Sequence, residues 1–93
     1  MAKTFFPEFI EHINASPPHP ANTQYRVSVG MEDWEGSFVP VAKVQMVYNG
    51  AVAGRKSPSY PIGTSDYDSV NKTLDRLVKE ASAKYDVTKS KNR

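Results

Sequence analysis

The side chains that could take part in catalysis or metal binding are few in this chain of 93 residues. The sequence contains no cysteine, which excludes thiolate zinc sites, iron–sulfur clusters and cysteine nucleophiles. Glu8 and Glu11 lie close to His12, but this grouping lacks the ligand pattern of a metal site. No serine lies in a nucleophile motif, and no glycine run has the spacing of a phosphate loop. We therefore predict a non-enzymatic protein with no catalytic residue, metal or cofactor.

Basic side chains in the middle of the chain support a prediction of binding. Residues 38–65 contain three positive charges and no negative ones. Lysines and arginines on a rigid surface attract polyanions in a salt-dependent way. The leading hypothesis is therefore nucleic-acid binding, with phosphate contacts from Lys43, Lys56, Arg55 and Arg26. The alternative interpretation is an ordinary solvated surface.

A tryptophan with acidic neighbours offers a second kind of binding site. Trp34 lies in the predicted loop 30–36, among Glu32, Asp33 and Glu35. Because the indole ring is large and mostly apolar, we expect it to pack back over the edge of the core. An exposed ring would instead be an interface anchor, and its acidic neighbours would suit a basic protein partner. The alternative hypothesis is thus a protein-binding accessory regulator or inhibitor that uses this loop or a sheet edge.

The first half of the chain predicts a helix followed by two strands. Apolar residues at helical spacing from Phe6 to Ile13 predict a short amphipathic helix over residues 4–14. Alternating polar and apolar residues predict a strand over residues 24–29. Aromatic and β-branched residues predict a longer strand over residues 38–48.

The dipeptide Asn49-Gly50 is the strongest local signal in the sequence. Both residue types tolerate the positive φ of a two-residue hairpin turn, so a third strand over residues 51–57 returns antiparallel to the second. In the register that this turn sets, Lys43 faces Lys56. The side of the hairpin opposite the core then carries Lys43, Gln45, Val47, Val52 and Lys56.

A long helix follows the strands. Ser65 and Asp68 have the spacing of an acidic capping box, and apolar residues keep helical spacing from Tyr67 to Tyr85. The predicted fold is therefore α+β, with two layers in the order α-β-β-β-α, an antiparallel three-stranded sheet and both helices on one face of it.

Over residues 4–85 this order of elements, with its proline-rich link after the first helix, resembles the layout of double-stranded RNA-binding domains. The resemblance implies phosphate contacts at the start of the last helix, where this sequence has Asp66 and Asp68. The strands leading into the helix that begins at Gly63-Thr64-Ser65 also resemble small antitoxin-like β-β-β-α domains.

Length and composition indicate one globular domain over residues 1–88, followed by a basic flexible tail over residues 89–93. The formal net charge of +2 is too small to identify a partner by itself. No segment has the apolar length of a secretory signal or a membrane span, so we expect a cytoplasmic protein without membrane association. Nucleic acid and protein both remain candidate partners, and an unpaired sheet edge would permit a homodimer.

Overall fold

The computed structural model of the protein describes residues 4–85. Four antiparallel strands form one sheet in sequence order. They are β1 (Phe5–Asn14), β2 (Thr23–Trp34), β3 (Ser37–Tyr48) and β4 (Ala51–Ala53), and the helix α1 (Asp66–Tyr85) packs across one face. The predicted α+β class and antiparallel sheet are confirmed. The sheet has four strands rather than three, and the described residues form one helix rather than two.

The predicted helix over residues 4–14 is wrong, because this segment forms the edge strand β1. A bulge between Pro7 and Phe9 explains the error. The bulge adds one residue to the strand, so Phe6 and Phe9 lie on the same face of the sheet although they are three positions apart. That spacing imitates a helical pattern. The layout that resembled double-stranded RNA-binding domains begins with a helix, so it is not the layout of this protein.

Both hairpins of the β2–β3–β4 meander have two-residue turns with positive φ. The predicted turn is confirmed, with φ of 51° at Asn49 and 83° at Gly50. The other turn, with φ of 54° at Glu35 and 95° at Gly36, was not predicted. The strand β2 continues to Trp34, where the sequence predicted a longer loop.

The strand β4 is shorter than predicted. The predicted register is confirmed from the pair Tyr48–Ala51 as far as the pair Met46–Ala53. Beyond Ala53 the chain turns, and the N–H of Lys56 donates a hydrogen bond of 3.1 Å to the carbonyl of Ala53. The predicted pairing of Lys43 with Lys56 is therefore wrong, because the ladder ends before it.

The hydrophobic core lies between the sheet and α1. Its buried side chains are Tyr25, Val27, Val29, Met46, Val70, Leu77 and Ala81. Burial of each large apolar side chain contributes roughly 1.5–3 kcal/mol, which makes this layer the main source of stability. Near the β2–β3 turn, Phe38 is 57% exposed and has an edge-to-face contact with Phe6.

A buried carboxylate fastens the start of α1 to the sheet. Oδ2 of Asp66 accepts hydrogen bonds from the Tyr25 hydroxyl at 2.7 Å and from the Ser16 N–H at 2.9 Å. Oδ1 accepts one from the Ser16 hydroxyl at 2.6 Å. Burial opposes ionisation of this group, but the hydrogen bonds from Ser16, Tyr25 and Thr64 outweigh burial and lower the pKa of Asp66. The ionised carboxylate is therefore part of the folded state.

Two predictions concern the limits of the chain. The predicted tail at 89–93 and the predicted domain end at 88 lie outside the described residues. Within residues 4–85, no helix combines the length and the apolar character that a membrane crossing requires.

Candidate functional site

One face of the sheet is covered by α1, and within residues 4–85 no helix or strand packs on the other face. We call this second face the open face. Side chains alternate along each strand, so the open face takes every second residue. Its members are Phe5, Pro7, Ile10, His12 and Asn14 of β1, Gln24, Arg26, Ser28, Gly30, Glu32 and Trp34 of β2, Ser37, Val39, Val41, Lys43, Gln45 and Val47 of β3, and Val52 of β4.

A hollow with basic walls opens beside the outer edge of β3, just past the end of β4. It has a volume of about 350 Å³ and is lined by Lys43, Gln45 and the segment 54–58, which includes Arg55 and Lys56. We call it the basic hollow. Three of the four predicted phosphate-binding residues meet here, although Lys56 does not pair with Lys43 in the sheet.

The fourth predicted residue, Arg26, lies on the open face next to this hollow. It pairs with Gln45 in the β2–β3 register. Nε of Arg26, Oε1 of Gln45 and Oγ of the neighbouring Ser28 are all buried, and none has a hydrogen-bond partner among residues 4–85. A buried polar atom without a partner costs about 1–3 kcal/mol. These three atoms form a buried polar cluster beneath the open face, beside the basic hollow.

The basic hollow also presents backbone groups. Tyr48 and Ala51 flank a two-residue turn, so they exchange backbone hydrogen bonds. Such pairs recur every second residue, so Met46 and Ala53 also exchange backbone hydrogen bonds. By the same alternation, the backbone N–H and C=O of Val44 point to the β4 side of β3, at a position beyond the end of β4. A backbone N–H at this position adds a fixed donor to the mobile cationic side chains.

The charge of Lys43 is partly balanced within the open face. Its Nζ forms a salt bridge with Glu32 and lies 5.0 Å from the centre of the Phe5 ring. Hydrogen bonds from Lys43 and from Trp34 lower the pKa of Glu32. The salt bridges of the described residues include neither Arg55 nor Lys56. These two residues therefore supply more of the positive potential at the basic hollow than Lys43 does.

Trp34 does not pack over the core, contrary to the prediction. It is 54% exposed, and its Nε1–H donates a hydrogen bond of 2.8 Å to Oε1 of Glu32. Because β2 continues as a strand through this position, the ring points to the open face and away from α1. The Asp33 carboxylate accepts a hydrogen bond from the N–H of Gly36 and so supports the turn, and Glu35 forms part of that turn. This hairpin end of the open face is acidic.

Two ring side chains of the open face were missed by sequence reasoning. The predicted helix over residues 4–14 includes Phe5 and His12, and the predicted hairpin face opposite the core contains no aromatic side chain. The strand β1 places both on it, and His12 lies opposite Arg26 in the register. In the structure, exposure alternates strictly along residues 5–14, as in a strand. The sequence does not show this alternation, because the order Ile10, Glu11, His12 and Ile13 fits a helix as well as a strand.

The site holds no evident metal-binding group. Among residues 4–85, no three histidine, aspartate or glutamate side chains lie close enough together to hold a metal ion. No family model, curated protein or solved structure matches this chain. We therefore infer the function from the geometry of the open face.

Proposed function

We propose that the protein binds single-stranded nucleic acid on the open face. The observation that carries the proposal is the basic hollow next to Arg26. Arg55 and Lys56 line it, and Arg26 lies beside it on the open face, paired with Gln45. Guanidinium groups and backbone N–H donors are the groups with which proteins hold phosphate oxygens. A phosphodiester strand crossing from Arg26 to the hollow would meet both kinds of donor.

A single strand fits this surface better than a duplex. Duplex readers place a helix or a two-stranded ribbon in a groove. Here the helix α1 carries four acidic and four basic residues, and its surface has no excess positive charge. The ribbon end formed by the β2–β3 hairpin is acidic, with Glu32, Asp33 and Glu35. Unpaired bases can instead lie on a sheet and stack on ring side chains, and the open face offers Phe5 and His12.

Replacing Arg26 by glutamine tests the proposal. We expect the affinity for a labelled single-stranded oligonucleotide to fall about tenfold at low salt, since a charge-assisted hydrogen bond is worth about 1.5–3 kcal/mol. The slope of log affinity against log salt should also flatten by about one phosphate contact. Fluorescence anisotropy with single-stranded DNA, single-stranded RNA and duplex DNA measures both quantities.

Arg76→Gln is the matched control, because it removes the same charge from the helix side of the sheet. Arg76 is engaged there with Glu11 and Glu80. Its replacement should leave affinity and salt slope almost unchanged. Equal losses in the two variants would mean that binding follows net charge alone, and absence of binding by the unaltered protein at low salt would overturn the proposal.

A second candidate function is favoured by the exposure of Trp34. An exposed indole ring with Glu32, Asp33 and Glu35 as its neighbours in the sequence has the composition of an anchor for a basic protein segment. Trp34 is the single tryptophan, so its emission reports on this site directly. This candidate predicts that a lysine- and arginine-rich peptide binds with micromolar affinity and shifts the emission, whereas an oligonucleotide does not.

In the same candidate, Trp34→Ala should weaken binding of a labelled basic peptide by about tenfold or more. The thermal midpoint of this variant should hardly change, because the ring contributes little to the core. Unchanged peptide binding by the variant would exclude the hairpin as a protein-binding site.

A further inference from the structure

A second hollow lies at the end of the open face that is remote from Trp34. Its volume is about 410 Å³, which is within the range of small-molecule sites. It is lined by Asn14, Asn22, Gln24, Asn49 and Gly50, which come from the end of β1, the β1–β2 loop, β2 and the β3–β4 turn. We call it the amide pocket. Four carboxamide side chains thus converge from four separate parts of the chain.

Two of these asparagines have a conformational role that leaves their side chains available. Asn22 and Asn49 have φ of 63° and 51°, a region that asparagine tolerates better than most residues. A backbone hydrogen bond of 2.9 Å from the N–H of Asn49 to the carbonyl of Asn22 holds the two loops together. Of the side-chain hydrogen bonds described for residues 4–85, only that from Gln24 Nε2 to Asn14 Oδ1 joins two of the pocket carboxamide groups. Donors and acceptors therefore remain for a ligand.

The chemistry of the amide pocket complements that of the basic hollow. No ionisable side chain lines the amide pocket, so it is unsuited to a phosphate group. A carboxamide presents a donor beside an acceptor, and this pair matches the edge of a nucleobase, above all N6 and N7 of adenine. Gln24 precedes Arg26 by two positions on the same face, so the pocket adjoins the predicted path of the strand.

We infer that the amide pocket receives one base of the bound strand and favours adenine. This inference rests on the proposed function and adds base preference to it. Along β3, Gln45 at the basic hollow is three residues, or about 10 Å of extended strand, from Tyr48, and Asn49 at the pocket comes next in the chain. The phosphate-binding and base-binding parts of the site are thus close neighbours, and one short oligonucleotide can occupy both.

The test is a comparison of homopolymers of deoxyadenosine, deoxycytidine and thymidine by fluorescence anisotropy. The unaltered protein should bind the deoxyadenosine polymer about tenfold more tightly than the pyrimidine polymers. The double variant Asn22→Gly/Asn49→Gly removes two pocket amides, and glycine accepts the positive φ at both positions. This variant should bind all three polymers alike, with the salt slope of the unaltered protein.

Glu35→Gly is the matched control, since it places glycine at another position of positive φ, at the far end of the sheet. It should keep the preference for deoxyadenosine. Equal binding of the three polymers by the unaltered protein, or a preference that survives in the double variant, would overturn the inference and leave the proposed function intact. Absence of binding to every polymer would overturn both.

Discussion

Replacement of Asp66 by alanine is expected to lower the free energy of unfolding by about 3 kcal/mol. The carboxylate accepts hydrogen bonds from the hydroxyl and N–H of Ser16 and from the hydroxyl of Tyr25. The alanine variant lacks the carboxylate, so the Ser16 donors lose their acceptor while they remain partly buried. The Tyr25 hydroxyl still has the Ser59 carbonyl as an acceptor at 2.8 Å. For a domain of this size such a loss corresponds to a fall of about 15 °C in Tm. Urea unfolding and thermal melting measure it.

Asp68→Ala is the control for this prediction. Asp68 lies in the same first turn of α1, but its side chain is 67% exposed and pairs with Lys72. Its loss should hardly move the urea midpoint, because exposed ion pairs contribute little. Equal destabilisation by the two alanine variants would show that Asp66 acts only through its charge at the helix start and not through the buried hydrogen bonds.

The contribution of Asp66 should also depend on pH with a definite sign. Its pKa in the folded protein lies below the ordinary value of 3.8, so its ionisation stabilises the fold above that value. The stabilisation is lost as the pH falls through the lowered pKa. The unaltered protein should therefore lose stability more steeply than Asp66→Asn between about pH 5 and pH 2. Parallel curves of urea midpoint against pH would contradict this assignment.

Replacement of Gly30 by alanine is the second change with a large expected effect. Gly30 lies under the bulge of β1, where an added Cβ would approach Pro7 Cα at 2.5 Å and the Phe6 carbonyl carbon at 2.9 Å, and the Phe6 carbonyl oxygen more closely still. These are backbone atoms and cannot turn aside as a flexible side chain can. We expect a loss of about 3 kcal/mol in the free energy of unfolding, because β1 must move away from β2.

Gly54→Ala is the matched control for this substitution. A Cβ at Gly54 would meet nothing within 4 Å among the described residues, and its backbone does not require glycine. The free energy of unfolding of this variant, from urea titration, should stay within about 0.5 kcal/mol of that of the unaltered protein. A Gly30→Ala variant as stable as Gly54→Ala would mean that the strands do not approach so closely. Loss of β1 pairing should also weaken oligonucleotide binding, because β1 carries Phe5 and His12 to the open face.

Local chemistry in the sequence is sufficient for some elements of this fold. The turn at Asn49-Gly50 follows from the positive φ that both residues accept, and the helix over residues 66–85 follows from its apolar spacing and acidic first turn. The start of the β3–β4 register follows in turn, since a two-residue loop leaves a single way to pair its flanking residues. Each of these features is decided by residues close together in the chain.

The strand β1 is different, because its apolar spacing fits a helix as well as a bulged strand. Pairing with β2 and the close approach at Gly30 decide between them, and both depend on residues 10 to 27 positions away in the chain. That decision brings Phe5 and His12 to the open face. The exposure of Trp34 likewise depends on the length of β2, which the loop-like composition of residues 30–36 conceals.

The candidate site shows the same division. The basic residues and the lack of acidic residues over positions 38–65 are visible in the sequence, as is the alternation that places Lys43 and Gln45 on one face. Their meeting with Arg55 and Lys56 depends on the turn after Ala53, and the amide pocket depends on two loops joined by a backbone hydrogen bond. Residue types and local conformation follow from neighbours in the chain, whereas a site assembled from four strands and their loops exists only once the strands have paired.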